Sequence, residues 1–174
     1  RAFTASSGPG LSLMMEGIGL AGMTETPLVI VDTMRGGPST GLPTKVEQSD
    51  LMALIHGTHG EIPKAVIAPS TIEECFYDAV EAFNIAEEYQ MPVILAVDLQ
   101  LALGKQTCEP LDYGRIEIRR GKLTRDLPPL ENPEMFKRYA FTEDGISPRV
   151  VPGTKYGIHH VTGVEHAETG SPNE

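Results

Sequence analysis

Arg35-Gly36-Gly37-Pro38-Ser39-Thr40-Gly41 carries the most pointed chemistry in the chain. A guanidinium grips a carboxylate through two parallel N–H donors, and flanking glycines let a small anion come close to the backbone. Ser39 and Thr40 add hydroxyl donors, so Arg35, Ser39 and Thr40 read as a carboxylate clamp. A surface arginine on a flexible loop is the plainer alternative. The second candidate is Ser6-Ser7-Gly8-Pro9-Gly10, which joins a strand pattern to an apolar helix pattern. Unpaired N–H groups and the positive end of the helix dipole gather at such a turn. Its glycines admit a ligand or another backbone, although a tight βα turn with a serine cap explains the same residues.

Other motifs are weaker. Gly17-Ile18-Gly19-Leu20-Ala21-Gly22 matches the dinucleotide pattern G-x-G-x-x-G, but that fingerprint needs a strand directly before it and a whole helix after it. Here the glycines end a helix, and small residues that permit close helix packing account for them better. His56-Gly57-Thr58-His59-Gly60-Glu61 holds three potential metal ligands without an element to fix their geometry, so a loop after a helix is expected. Glu16 reads as a packing or interface residue, and His159, His160 and His166 as solvated or interface histidines. Among nucleophile and phosphate motifs, G-x-S-x-G and the P-loop are absent from the sequence.

The elements that must position these residues alternate strand and helix. Ala2–Ala5 is a strand pattern, and Leu11–Gly22 is a helix with apolar residues at Leu11, Met14, Met15 and Ile18. Leu13 and Leu20 lie off that stripe, so this helix is expected to be covered on most sides. A buried strand over Leu28–Val31 ends at Asp32, and a loop from Met34 to Thr44 leads to a helix around Glu47–Ile55. Ala65–Ala68 is a further strand. A helix then starts at Ser70-Thr71, where Thr71 with Glu74, or Ser70 with Glu73, fits a capping box. Its acidic residues, including Glu81, Glu87 and Glu88, read as a solvated face, and Val93–Asp98 is the last strand of the series. Continuous apolar strands separated by helices predict an α/β fold, a parallel sheet with helices on both faces. Ligands then bind beyond the carboxyl ends of the strands, here Ser6–Gly10, Asp32–Thr44, Pro69–Ser70 and Asp98–Gln100. Residues 1–104 are the expected domain and 105–174 an irregular extension, with Arg115–Arg119 an exposed strand, Gly121 a turn into Lys122–Arg125 and Leu127–Pro133 a Pro-rich stretch.

Fourteen Lys and Arg against twenty-four Asp and Glu leave a net charge of −10, which speaks against a nucleic-acid or anionic-membrane binder. Two cysteines, Cys75 and Cys108, exclude a disulfide framework, a Cys-based zinc site and a self-contained iron–sulfur cluster within these residues. No apolar run reaches the ~20 residues of a membrane span, so a cytoplasmic location is expected. The strand pattern begins right after Arg1, and the chain is expected to be a piece of a longer polypeptide.

Phe3-Thr4-Ala5-Ser6-Ser7-Gly8-Pro9-Gly10, a helix, then Thr26-Pro27-Leu28-Val29-Ile30 resembles the pyrimidine-binding domain of thiamine-diphosphate enzymes. Arg35 to Lys45, Gln48-Ser49-Asp50-Leu51, His59-Gly60-Glu61, Pro69 to Phe76 and Thr162-Gly163-Val164-Glu165-His166 narrow the likeness. Together they resemble the alpha subunit of 2-oxoacid:ferredoxin oxidoreductases, particularly the 2-oxoglutarate type. The resemblance implies a thiamine-diphosphate-binding fold of pyrimidine type and oxidative decarboxylation of a 2-oxoacid to an acyl-CoA, with electrons passed to ferredoxin. It also implies a thiamine diphosphate shared with a beta subunit that carries magnesium and an iron–sulfur cluster. On this analogy Arg35, with Ser39 and Thr40, grips the substrate carboxylate, and Ser6, Ser7, Gly8, Pro9 and Gly10 border the pyrimidine pocket. The glutamate that protonates the aminopyrimidine is expected upstream of Arg1, as is a threonine that meets the substrate, so no residue of this fragment is assigned a catalytic role and the fragment alone is expected to be inactive. Two other readings are a non-catalytic assembly module and the pyrimidine domain of a decarboxylase or acetolactate-synthase-like enzyme.

Overall fold

The computed structural model describes residues 1–131 and 135–173. The end of the Leu127–Pro133 stretch therefore lies outside the described residues. Four parallel strands form the main sheet: β1 (Phe3–Ser6), β2 (Leu28–Met34), β3 (Ala65–Ile67) and β4 (Pro92–Asp98), in spatial order β1-β2-β4-β3. The connections are α1 (Gly8–Met23), α2 (Leu51–His56) and α3 (Ile72–Tyr89), with a short α4 (Leu99–Leu103) after β4. Side chains alternate across a strand, so successive residues of β2 and β4 feed two cores. Ile30, Met34, Ile94 and Ala96 pack with Leu11 and Ile18 of α1 and Leu54 of α2. Val29, Val93 and Leu95 pack with Ala82 and Ala86 of α3 on the opposite face. The expected parallel sheet covered on both faces is thus present, and double coverage explains why its strands read as unbroken apolar runs.

Local signals placed α3 well. Thr71 accepts from the Glu74 backbone N–H at 3.0 Å and Glu74 reaches back to the Thr71 N–H at 3.2 Å, the reciprocal box. Ser70 does not pair with Glu73; its hydroxyl and its N–H both donate to Glu74 at 2.6 Å. Thr71→Ala removes the cap and is expected to cost about 1 kcal/mol, read as a lower urea midpoint at unchanged slope.

Several expectations give way to tertiary contacts. β2 runs on to Met34, because Val97 and Asp98 of β4 continue the ladder opposite Thr33 and Met34, so Asp32 is inside the strand. α2 starts at Leu51 rather than Glu47, since Glu47 accepts from the Gly37 N–H and Gln48 donates to Asp98 instead of entering a helix. In α1, Leu13 is 89% exposed and Leu20 is also exposed, so the described residues do not cover that side. Within the glycine-rich stretch, close packing holds at Gly22, where a Cβ would meet Ile62 at 2.7 Å, while Gly17 and Gly19 face open space.

The acidic side of α3 is only partly solvated, because several of its carboxylates are paired. Arg119 bridges Glu81 at 2.6 Å and Glu88 at 3.1 Å, its N–H donates to Asn84, and Asn84 donates to the Glu117 carbonyl. Glu87 is buried and paired with Arg1. Arg115–Arg119 therefore runs along α3 and, apart from the end of a 3₁₀ turn at Tyr113–Arg115, forms no strand. These bonds carry the first compact unit to Arg119, past the expected limit at Gly104. Residues 120–174 form a second unit, with Gly121 in a left-handed turn before β5 (Leu123–Thr124), which pairs with β6 (Arg149–Val150). Phe136, Tyr139 and Val150 are buried there, and His166 stacks on Tyr139 at 3.8 Å. Among the described residues, no helix is long and apolar enough to cross a membrane.

Candidate functional site

Two cavities open at the carboxyl edge of the main sheet. One, of about 400 Å³, is lined by Gly8, Pro9 and Ser12 of α1, by Arg35 to Ser39, and by Glu47, Ser49 and Asp50. The other, of about 740 Å³, lies over the ends of β3 and β4, between Pro69-Ser70, Asp98 and Lys105. The smaller one contains the candidate residues. Arg35 follows β2 directly, so the sheet sets where its side chain begins. Its Nη2 donates to the Thr40 carbonyl at 3.3 Å, which folds the loop around the guanidinium. Its Nε is buried and meets no hydrogen-bond acceptor among the described residues. A buried donor without a partner is costly, and Arg35 is also the cation that an anion entering the cavity meets among the described residues.

The loop is braced for this. The Gly36 N–H donates to the Lys45 carbonyl, the Leu42 N–H to the Gly36 carbonyl at 2.7 Å, and the Gly37 N–H to Glu47 at 3.0 Å. The Gly37–Pro38 peptide is cis. Ser39 lines the cavity, and the Thr40 carbonyl accepts from Arg35 Nη2.

The Ser6–Gly10 turn is placed beside Arg35, but its glycines do a different job from the expected one. A Cβ on Gly8 would stand 2.6 Å from Asp50 Oδ2, and one on Gly10 would collide with Ser6 Oγ. The close approach is thus made by the chain's own side chains. Ser7 holds the N-cap position without a capping bond from its hydroxyl, and Gly8 and Pro9 of the first turn line the cavity. Ser12, missed in the sequence, donates to the Gly8 carbonyl.

Asp32 was also missed as a site residue. It stands opposite Ser6 in the sheet, shares the α1 and α2 side of β2 with Ile30 and Met34, and is 0% exposed. Burial, then the charge of Asp50 and a hydrogen bond with it, push the Asp32 carboxyl up to about 7. The available signal was an acid inside an otherwise apolar strand. Elsewhere, His56 ends α2 and lines a separate cavity with Glu61 and Lys64, and Lys64 Nζ donates to the Gly57 carbonyl. Among the described residues no group of three metal-ligating side chains converges, and Glu16 is exposed.

A bound thiamine diphosphate can be tested against these residues. Polar backbone at the α1 start, the Ser12 and Ser49 hydroxyls and the Asp50 carboxyl suit the donors and acceptors of an aminopyrimidine. Among the described residues Arg35 is the only cation lining the cavity, and Glu47 and Asp50 share it, so the lining suits one carboxylate better than a diphosphate.

Comparison with known proteins points the same way. The alpha subunit of 2-oxoacid:ferredoxin oxidoreductase 1 from Sulfurisphaera tokodaii is 48% identical over 177 residues, covering 100% of this chain and 27% of that protein. The 2-oxoglutarate synthase subunit KorA of Methanothermobacter thermautotrophicus is 43% identical, over 99% of this chain and 44% of its own length. A solved 2-oxoglutarate:ferredoxin oxidoreductase from Magnetococcus marinus, with 2-oxoglutarate, coenzyme A and succinyl-CoA bound, matches with a TM-score of 0.89 at 47% identity. That match covers 98% of this chain and 29% of the solved one. The chain thus spans between about a quarter and under a half of the relatives it matches. The model of the pyruvate flavodoxin/ferredoxin oxidoreductase, thiamine diphosphate-binding family matches residues 1–174, and with an arginine-lined cavity at the carboxyl edge of a parallel sheet, it is to this family that the chain belongs.

Proposed function

We propose that the chain is the pyrimidine-side portion of the alpha subunit of a 2-oxoacid:ferredoxin oxidoreductase, working in the cytoplasm, with 2-oxoglutarate as its substrate. In the reaction, a 2-oxoacid and coenzyme A become an acyl-CoA and carbon dioxide, and two electrons leave through iron–sulfur clusters to ferredoxin. Thiamine diphosphate, when bound, supplies the carbon nucleophile and electron sink for the decarboxylation. This chain's part is binding and orientation. Arg35 holds the substrate carboxylate, Ser39 flanks it, and Thr40 fixes the guanidinium through its carbonyl. Residues Ser6 to Gly10 border the pyrimidine. The diphosphate, magnesium and an iron–sulfur cluster belong to the beta subunit, a division favoured by Arg35 being the one cation that lines the cavity among the described residues.

The observation that carries the reading is the buried Arg35 Nε, without an acceptor among the described residues, in the same cavity as the α1 turn. Substrate choice is supported by relatives named for 2-oxoglutarate. The test is viologen reduction by the full-length alpha chain assembled with its beta partner. Reduction is expected only when 2-oxoglutarate, coenzyme A and thiamine diphosphate are all present. Carbon dioxide release without viologen reduction indicates a simple decarboxylase, and no turnover of any 2-oxoacid indicates an assembly module.

A further inference from the structure

Three observations converge beneath the first turn of α1. Asp32 is fully buried, and neither of its carboxyl oxygens meets a hydrogen-bond donor among the described residues. Asp50, the N-cap residue of α2, also has a buried oxygen, Oδ2, with no donor among them; its other oxygen accepts from Ser49 at 3.3 Å. The Asp50 carboxyl occupies the space that a Cβ on Gly8 would need, and it lies within hydrogen-bonding reach of Asp32. A buried carboxylate beside a half-buried one is costly to keep charged, while one proton between them turns repulsion into a strong hydrogen bond.

We propose that Asp32 and Asp50 share a single proton, and that this proton holds the start of α2 against the first turn of α1, making Asp32 a positioning residue for the cavity that Arg35 lines. Asp32 is the proton carrier, being enclosed in the sheet with both oxygens buried. The surroundings bring little else that titrates. β1 contributes Ser6, β4 contributes Ala96 opposite Asp32, and the first turn of α1 has no charged side chain. From the loops, Arg35 and Glu47 line the neighbouring cavity, and Asp98 is engaged by Gln48 and the Leu101 N–H. Losing the proton would push Asp50 away from Asp32 and shift the wall formed by Gly8, Ser49 and Asp50.

The protonation rests on the enclosed, unpartnered oxygens of Asp32 and on the neighbouring Asp50 carboxyl, while its link to substrate affinity rests on the proposed 2-oxoacid site. Infrared spectra of the full-length alpha chain in its complex test the first. A protonated carboxyl band is expected at pH 6, shifted in heavy water and lost in Asp32→Asn; its absence in the wild type, or its persistence in the variant, overturns the proposal. The pH profile of KM for the 2-oxoacid tests the second. Wild-type KM is expected to rise severalfold above neutrality, with the inflection removed in Asp32→Asn, whose amide can donate permanently to Asp50. Asp32→Ala should raise KM over the whole range. An inflection unchanged in Asp32→Asn overturns the positioning role. Should the complex turn over no 2-oxoacid, thermal unfolding decides the matter. Because the folded-state carboxyl titrates higher than the unfolded one, the wild-type advantage over Asp32→Asn should fall from about pH 4 to about pH 7 and then level. A difference independent of pH overturns the proposal.

Discussion

Arg35→Ala in the assembled enzyme is expected to lower kcat/KM for the 2-oxoacid by roughly 10²- to 10³-fold, mostly through KM. The size follows from what would be lost if Arg35 grips the carboxylate as proposed: a charge-assisted contact at the one cation lining the cavity among the described residues. Arg35→Lys should recover only part of it, because an ammonium keeps the charge but not the planar fork. Folding should be little affected, since the side chain is tied to the described residues by the 3.3 Å contact to the Thr40 carbonyl. Circular dichroism and thermal unfolding verify that. A variant with native spectra and wild-type KM would remove the guanidinium from the substrate site.

Gly41→Ala should be nearly as damaging by a different route. Gly41 has φ +58°, where a side chain costs about 1 kcal/mol, and an added Cβ would run into the Gly36 carbonyl and stand 2.8 Å from Gly37 Cα. Relief requires breaking the Leu42 N–H bond to that carbonyl, which closes the loop around Arg35. The combined local penalty is roughly 2–4 kcal/mol. Amide exchange at Gly36 and Leu42 should accelerate by about two orders of magnitude, and KM should rise in parallel. Gly60→Ala is the control, because Gly60 also has positive φ (+72°) but open space around it. Equal effects at the two positions would show that backbone strain, and not the crowding at Gly36, matters.

Much of the candidate site could be located in the chain because its signals are local. A carboxyl-edge loop with Arg35 among glycines could be found from the strand before it, and the Thr71–Glu74 box from two residues three apart. Where local patterns misled, the deciding partner lay far along the chain. Asp32 looked like a strand end until Val97 and Asp98 extended the ladder past it. The acids of α3 looked solvated until Arg119 reached Glu81 and Glu88. Gly8 and Gly10 looked open to a ligand or another backbone; Asp50 and Ser6 take the space a Cβ would need there, and Gly8 still lines the cavity.

The amino-acid order by itself determined the strand–helix alternation, the two-sided parallel sheet and the turn and loop at its carboxyl edge, since periodicity, caps and glycine placement act within a few residues. Only the tertiary structure decided that Arg35 keeps a buried donor without an acceptor among the described residues and that Asp32 and Asp50 interact beneath α1. Both depend on distances between segments that the sheet brings together, and a hydrogen bond's existence turns on fractions of an ångström that no local pattern encodes.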